Sequence, residues 1–318
     1  MRKAALLYNP DSGGSKQRQR ELESALAILR AGAVDADLVP TDSPAHAIEE
    51  TRRAIDCGCD TIFACGGDGT IHNIVQVLAN SPVALAILPM GTANALAHDI
   101  KLPRRVVAAA RALLHASPRR IALGRVSFAG LQGNPGTRYF VVAAGIGVDA
   151  HLFYKLHTGT KQRMGMAAYY AKCWHLWFTY PMPRFVAEYC ETGSDVPGRA
   201  EVTELLAVRI GNFGGVVQEL APGASLDRDD MRLVFCRTAS RLAYLAYVTR
   251  GLLRARWPVP GIDLAYSTGV SCRYGPPDKE SPPQQRNIYV EADGELLGTL
   301  PVEITVVPNA LTLLMPTR

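Results

Sequence analysis

The sequence predicts an α/β protein in two parts, a doubly wound parallel sheet followed by a mainly antiparallel β-sandwich. Three observations predict it. Strand, loop and helix signals alternate four times between residues 3 and 97, the pattern of a parallel sheet covered by helices. The loops rich in Gly, Asn and Thr all fall where a strand hands over to a helix, the edge at which such sheets collect ligands. From about Leu123 onward, short β-rich segments replace the alternation. With 318 residues the chain also exceeds the roughly 250–300 residues at which one core stops growing.

Lys3 to Tyr8 is a short apolar strand, followed by the turn-rich Asn9-Pro10-Asp11-Ser12-Gly13-Gly14. Gln17 to Ala31 repeats apolar residues at Leu22, Leu26 and Leu29 and is expected to be a helix closed by Gly32. Ala36 to Pro40 is a second strand, and Pro44 to Cys57 a second helix. The third unit carries the densest chemistry. Thr61 to Cys65 is a buried-type strand that stops at Gly66-Gly67-Asp68-Gly69-Thr70, and Ile71 to Leu78 reads as the helix after it. Glycines let the backbone approach a ligand without a Cβ in the way, and a helix N-terminus favours phosphate. Asp68 would repel that phosphate unless a cation or water network lies between them. Val83 to Leu88 and the turn Pro89 to Ala97 form the fourth unit.

The first domain is therefore drawn at 1–123 and the second, β-rich one at 124–307, with 308–318 a candidate to return to the first. In the second domain Tyr139 to Ala143, Phe185 to Cys190, Glu204 to Ile210, Arg232 to Cys236 and Glu303 to Val307 read as strands. Met164 to Phe178 and Leu242 to Trp257 read as helices, and Gly275 to Gln285 is a Pro-rich loop. Asp293-Gly294, between two apolar runs, is a hairpin turn signal in its own right.

Hydrophobic content of 48% and charged content of 20% are globular values. The net charge of +5 suits anionic ligands or a membrane surface, and no basic run is dense enough for a nucleic-acid arm. Seven scattered cysteines imply a reducing compartment and no disulfide framework, so a cytoplasmic location is expected. No run of about 18 apolar residues is present to span a bilayer.

The loops, taken together, resemble the diacylglycerol kinase catalytic-domain family, which includes soluble bacterial diacylglycerol kinases and sphingosine kinases. The resemblance rests on NPDSGG at Asn9 to Gly14, Thr41, GGDGT at Gly66 to Thr70, LPMGTANALAHD at Leu88 to Asp99, AAGIGVDA at Ala143 to Ala150, GNFGG at Gly211 to Gly215 and VEADGELLG at Val290 to Gly298, in that order. It implies an N-terminal fold like that of NAD kinase and phosphofructokinase. It also implies transfer of the γ-phosphoryl group of ATP, with Mg²⁺, to a hydroxyl of a diacylglycerol-like or sphingoid-like lipid, with ATP in the cleft between the domains.

Carried over position by position, Asn9, Thr41, Gly66, Gly67, Asp68, Gly69, Thr70, Thr92 and Asn94 would bind the nucleotide. Asp293 would be the general base, with Glu295 beside it at the metal, and Asp68 and Asp149 would tie Mg²⁺ to the loop. Asn94 and Thr92 are equally candidates to cap the following helix, and Asp149 to be a cap or turn residue. NAD kinase, which shares GGDGT, and a non-catalytic nucleotide- or lipid-binding protein of the same fold are the alternatives. Two departures from the family pattern stand out. His72 and Asn73 occupy the place of an Asn-Glu pair, His72 as a surface or cleft residue. In the loop where the family holds a structural metal, Arg228 falls where an Asp is expected, which leaves Asp227 and Asp229 as candidate ligands and makes a guanidinium–carboxylate pair the substitute.

A lipid substrate at a membrane surface calls for peripheral contact with the inner face of the membrane. Leu242, Leu245, Val248, Leu252 and Leu253 with Arg241, Arg250, Arg254, Arg256 and Trp257 have the composition of an interfacial helix, or of one packed on the sandwich. The aromatics between Lys161 and Tyr180 would line an acyl-chain pocket or fill a core. A homodimer is a candidate assembly.

Overall fold

A computed structural model of the chain describes residues 1–10, 16–151, 179–214, 219–275 and 287–317. They form two compact units, one of Met1–Leu123, Asn212–Val216 and Val307–Arg318, the other of Gly124–Gly211 and Val217–Val306. The expected helix at 164–178, the loop beyond Gly275, and parts of the NPDSGG and GNFGG motifs lie outside the described residues.

In the first unit β1 (Lys3–Tyr8), α1 (Lys16–Ala31), β2 (Asp35–Pro40), α2 (Pro44–Asp56), β3 (Thr61–Gly66), α3 (Asp68–Leu78), β4 (Ala84–Pro89), α4 (Ala95–Asp99) and α5 (Val106–Leu114) follow in order. The sheet runs β2-β1-β3-β4, all parallel, with Leu6 opposite Leu38 and Phe63, and Phe63 opposite Ala86. Every residue of β3 and β4 is buried, as expected of central parallel strands with helices on both faces. Each fully buried Ile, Leu or Phe there contributes about 1.5–3 kcal/mol.

Three local features differ from expectation. Helix α1 ends at Ala31 as expected, but the left-handed residue after it is Ala33 (φ 60°) and not Gly32. Gly32 instead makes room for Leu114, whose methyl groups a Cβ would strike. Helix α3 begins at Asp68 rather than Ile71, so Asp68, Gly69 and Thr70 of GGDGT belong to the first helical turn. Helix α5, absent from the sequence reading, packs on α1 and β4 through Val106, Ala109, Ala110 and Leu113.

Strand β5 (Ser117–Gly130) leads out of this unit. The second unit holds β6 (Pro135–Phe140), β7 (Ala143–Gly147), β8 (Phe185–Cys190), β9 (Pro197–Val202), β10 (Glu204–Val208), β11 (Met231–Cys236), α6 (Arg241–Leu253), β12 (Ile262–Ser267), β13 (Gly269–Tyr274), β14 (Tyr289–Ala292) and the long β15 (Glu295–Met315). The pairs β12-β11-β10-β7-β14-β15 and β9-β8-β13-β15 are antiparallel. The segment Tyr139 to Ala143 is not one strand: it closes β6, turns at Val141 and Val142, and opens β7. The core gathers Phe140, Phe185, Phe235, Leu205, Leu233, Ile146, Val290 and Ile304. Trp257 lies beyond the end of α6. β15 then carries the chain back into the first unit, where Thr312 and Leu313 pair in parallel with Ala84 and Leu85.

Candidate active site

In the first unit the predicted residues stand where the strands end. Asn9 and Thr41 follow β1 and β2, and the buried Thr41 donates its hydroxyl to Tyr8 O at 3.2 Å. The turns after β3 and β4 are packed on each other. A Cβ on Gly67 would sit 3.1 Å from Gly91 Cα, and one on Gly91 would overlap Gly67 Cα. Gly66 has no room for a side chain because the Thr70 hydroxyl lies there. These glycines are thus needed for loop-on-loop packing, whatever else they bind.

The same two turns are clasped by side chains. Asp68 Oδ1 accepts the amide hydrogen of Ala95, the first residue of α4, at 2.9 Å. Asn94, in the left-handed region at φ 51°, accepts from Gly91 N at 2.9 Å and donates to Gly91 O at 2.8 Å. The expected caps are therefore corrected. Asn94 makes no cap hydrogen bond to α4 because its amide group is used on its own turn, and Asp68 delivers the cap from a different loop. Thr92 is exposed. A cavity of about 400 Å³ opens beside it, lined by Arg18, Gly91, Thr92, His98 and Arg104 among others. Two guanidinium groups against one carboxylate, Glu21, leave the lining net positive and suit it to an anion. His72 is not on a surface or in a cleft but buried, at 3% exposure.

In the second unit β14 and β15 are joined by Asp293-Gly294, with φ of 51° and 84°, the doubly left-handed conformation of a two-residue hairpin turn. Asp tolerates that region better than most residues. The Asp293 carboxylate reaches across to the β6–β7 turn, where Oδ2 accepts from Val141 N at 3.0 Å and Oδ1 from Val142 N at 2.8 Å and Ala143 N at 3.2 Å. Three successive amides pointing at one carboxylate form an anion nest. Glu295, half-buried at the start of β15, has a carboxylate with no hydrogen bond or ion pair among the described residues.

Beneath the turn lies a cluster that sequence reasoning missed in part. Glu291 faces Gly145 across the β14–β7 pair, and a Cβ on Gly145 would lie 2.8 Å from Glu291 Oε1 and 3.1 Å from Asp149 Oδ2. The glycine makes the space in which the two carboxyls meet. Glu291 Oε2 accepts from Gly294 N at 2.8 Å, which ties it to the turn. A register shift between Val290 and Glu291, a bulge, re-aims this side chain. Glu204, opening β10, completes the group. Burial pushes Asp149 up to about 6. Burial first, then the Asp149 charge, pushes Glu291 and Glu204 well above the usual carboxylate range. Glu204 is also hydrogen-bonded by Tyr244 of α6, whose hydroxyl lies 2.8 Å from Thr203 Oγ1.

Asp227 and Asp229 join neither group. In their loop the buried carboxylate is Asp230, held by Arg228 through Nε at 2.6 Å and Nη2 at 2.7 Å, and Arg228 stacks on Tyr266 at 4.0 Å. The guanidinium pair anticipated for this loop forms with Asp230. Among the described residues no group of three His, Cys, Asp or Glu could hold a metal ion. That donor set fits Mg²⁺ only as an ion held largely by water and phosphate oxygens with one or two carboxylates, which is its common habit.

Known proteins resemble the chain in sequence and in fold. Residues 3–126 match the family model described as the diacylglycerol kinase catalytic domain. A diacylglycerol kinase of Staphylococcus aureus is 26% identical over 251 residues, covering 78% of this chain and 74% of that protein. One of Staphylococcus saprophyticus is 26% identical over 249 residues, covering 78% and 76%. Among solved structures, a diacylglycerol kinase from Bacillus anthracis superposes with a TM-score of 0.70 at 17% identity, covering 99% of this chain and 96% of that one. The fold is shared with a yeast NADH kinase, at a TM-score of 0.52 and 10% identity over 100% of this chain and 84% of that one.

Proposed function

We propose that the chain, whose residues 3–126 match the diacylglycerol kinase catalytic domain, is a lipid kinase that transfers the γ-phosphoryl group of ATP, with Mg²⁺, to a hydroxyl of a diacylglycerol-like or sphingoid-like lipid. Asn9, Thr41, the turn Gly66 to Thr70 and the turn Gly91 to Asn94 bind the nucleotide. Arg18 and Arg104 add positive charge at its phosphates. When bound, Mg²⁺ would supply charge neutralisation at the transferring phosphate, and Asp68 and Asp149 are the carboxylates the resemblance offers it. Asp227 and Asp229 take no part.

The observation that carries the reading is the hairpin turn with its two carboxylates. Resemblance assigns the proton to Asp293 and the metal to Glu295. The geometry favours a different division: the Asp293 oxygens hold three amides and fix the turn, whereas Glu295 has its carboxylate available to an incoming hydroxyl. Glu295 accepts the proton of the acceptor hydroxyl, and Asp293 positions it.

The test is labelled ATP offered to a panel of lipids and to NAD, with Glu295→Gln and Asp293→Asn alongside. Lipid phosphate should form, and Glu295→Gln should lower kcat by at least ~100-fold with nucleotide binding kept. A fully active Glu295→Gln beside an inactive Asp293→Asn would return the base to Asp293. Phosphorylation of NAD alone would overturn the lipid reading.

A further inference from the structure

Helix α6 is apolar on both sides. Its inner side buries Tyr244, Tyr247, Arg250 and Gly251. Its outer side exposes Leu242 at 79%, Leu245 and Val248 at 42%, Leu252 at 45% and Leu253 at 62%, and Trp257 follows at 43%. At 100° per residue these positions cover one continuous arc of the outer side. A surface helix ordinarily turns charge to water on that side, and most of the large exposed apolar side chains among the described residues are collected here.

The segment that carries the helix has charge of one sign only. Between Met231 and Ile262 there are six arginines and no Asp, Glu or Lys. Four of them make these contacts. Arg232 and Arg250 lie over Tyr266 and Tyr247, Arg237 pairs with Asp263 at 2.9 Å, and Arg241 donates to Tyr180 O at 3.2 Å. Arg254 and Arg256 stand exposed beside Leu252, Leu253 and Trp257. An apolar stripe flanked by arginine and tryptophan matches the boundary between acyl chains and anionic headgroups. A second copy of the chain fits less well, since a two-fold contact would bring like charges together.

We propose that the outer face of α6 docks on a lipid surface bearing anionic headgroups. The proposal deepens the lipid-kinase reading and rests on it for the expectation of a bilayer-borne substrate. The inner face of the same helix touches the acceptor side of the chemistry, because Tyr244 meets Thr203 and Glu204, and Glu204 feels the charge of Asp149. Docking would thus seat the carboxylate cluster against the membrane in a fixed orientation.

The experiment is sedimentation of the full chain with phosphatidylcholine vesicles, with and without phosphatidylglycerol, and with neither diacylglycerol nor ATP present. The wild type should bind the anionic vesicles. Leu245→Asp/Leu252→Asp should weaken binding at least about tenfold with an unchanged circular dichroism spectrum. Arg254→Gln/Arg256→Gln should lose roughly tenfold only where phosphatidylglycerol is present. Unchanged binding by the leucine variant, no binding by the wild type, or a wild-type dimer that the leucine variant converts to a monomer would each overturn the proposal. Since no turnover is read, vesicle binding without any lipid phosphorylation would sink the kinase reading and leave the docking face standing.

Discussion

Asp68 and Ala95 are joined by a 2.9 Å hydrogen bond from the Ala95 amide to Asp68 Oδ1, so the acidic residue of one glycine-rich turn caps the helix that follows the other. Capping needs an acceptor and catalysis needs a charge. Asp68→Asn keeps the acceptor and should leave stability within ~0.5 kcal/mol while lowering lipid phosphorylation at least ~10-fold. Asp68→Ala should also lose ~1 kcal/mol of stability. Urea unfolding and initial rates separate the two, and an active Asp68→Asn would reduce Asp68 to a structural cap.

Gly91→Ala should be costly. Its Cβ would overlap backbone at Gly67, and backbone cannot swing away as a side chain does, so overpacking should destabilise by ~1–3 kcal/mol and weaken nucleotide binding. Gly275→Ala is the matched control, because nothing lies within 4 Å of its added Cβ. Thermal melts with and without ATP test both.

Arg228→Met would leave Asp230, at 6% exposure, without its two-pronged partner. A buried carboxylate that loses its cation is strongly destabilising, and discounting for the partly exposed Arg228 gives about 1–3 kcal/mol at pH 7. Burial pushes Asp230 up, but hydrogen bonds from Arg228 and Thr192 and the charges of Arg228 and Arg209 together outweigh it and hold the carboxyl below its ordinary 3.8. The depressed value means that the stabilisation is present above 3.8 and lost as pH falls through the lower folded value. Urea midpoints of wild type and variant should therefore differ at pH 7 and converge at the acid end.

Glu204 has the opposite sign. Its folded value is raised above 4.5 by burial and by Asp149, so the folded state holds the proton more tightly. Stability is greatest below 4.5 and falls as pH rises towards the raised value. Glu204→Gln mimics the protonated form and retains an acceptor for Tyr244. It should melt higher than wild type at pH 8 and together with it at pH 4. Coincident melts at pH 8 would show that the carboxyl carries no penalty.

The parts of the site written in adjacent residues were legible in the sequence. Gly66 to Thr70 announces a turn before a helix, and Asp293-Gly294 announces a hairpin, because local backbone demands select local residue types. What depends on pairing was not. Glu291 sits between Val290 and Ala292 like any outward residue of an alternating strand, and Glu204 precedes an apolar run as an ordinary polar edge. Only their strand partners, Gly145 for Glu291 and Gly147 for Glu204, bring them into the interior. The cap on α4 was misassigned for the same reason: Asn94 has the right type in the right place, yet the acceptor comes from 27 residues earlier. Helix α5 carries an apolar repeat at Val106, Ala109, Ala110 and Leu113 within a run so rich in alanine and valine that neither period stands out.

The return of β15 sets an order of events during synthesis. Residues 3–126 are the stretch that matches the family model, yet the strand that pairs with Ala84 and Leu85 is made of Thr312 and Leu313. Domains commonly fold from the N-terminus as they leave the ribosome. Here β4 must wait beside an open sheet edge until almost the whole chain has emerged. An exposed edge of apolar strand is a template for the wrong partner, so the pairing of Thr312 and Leu313 also shields the β4 edge from other strands.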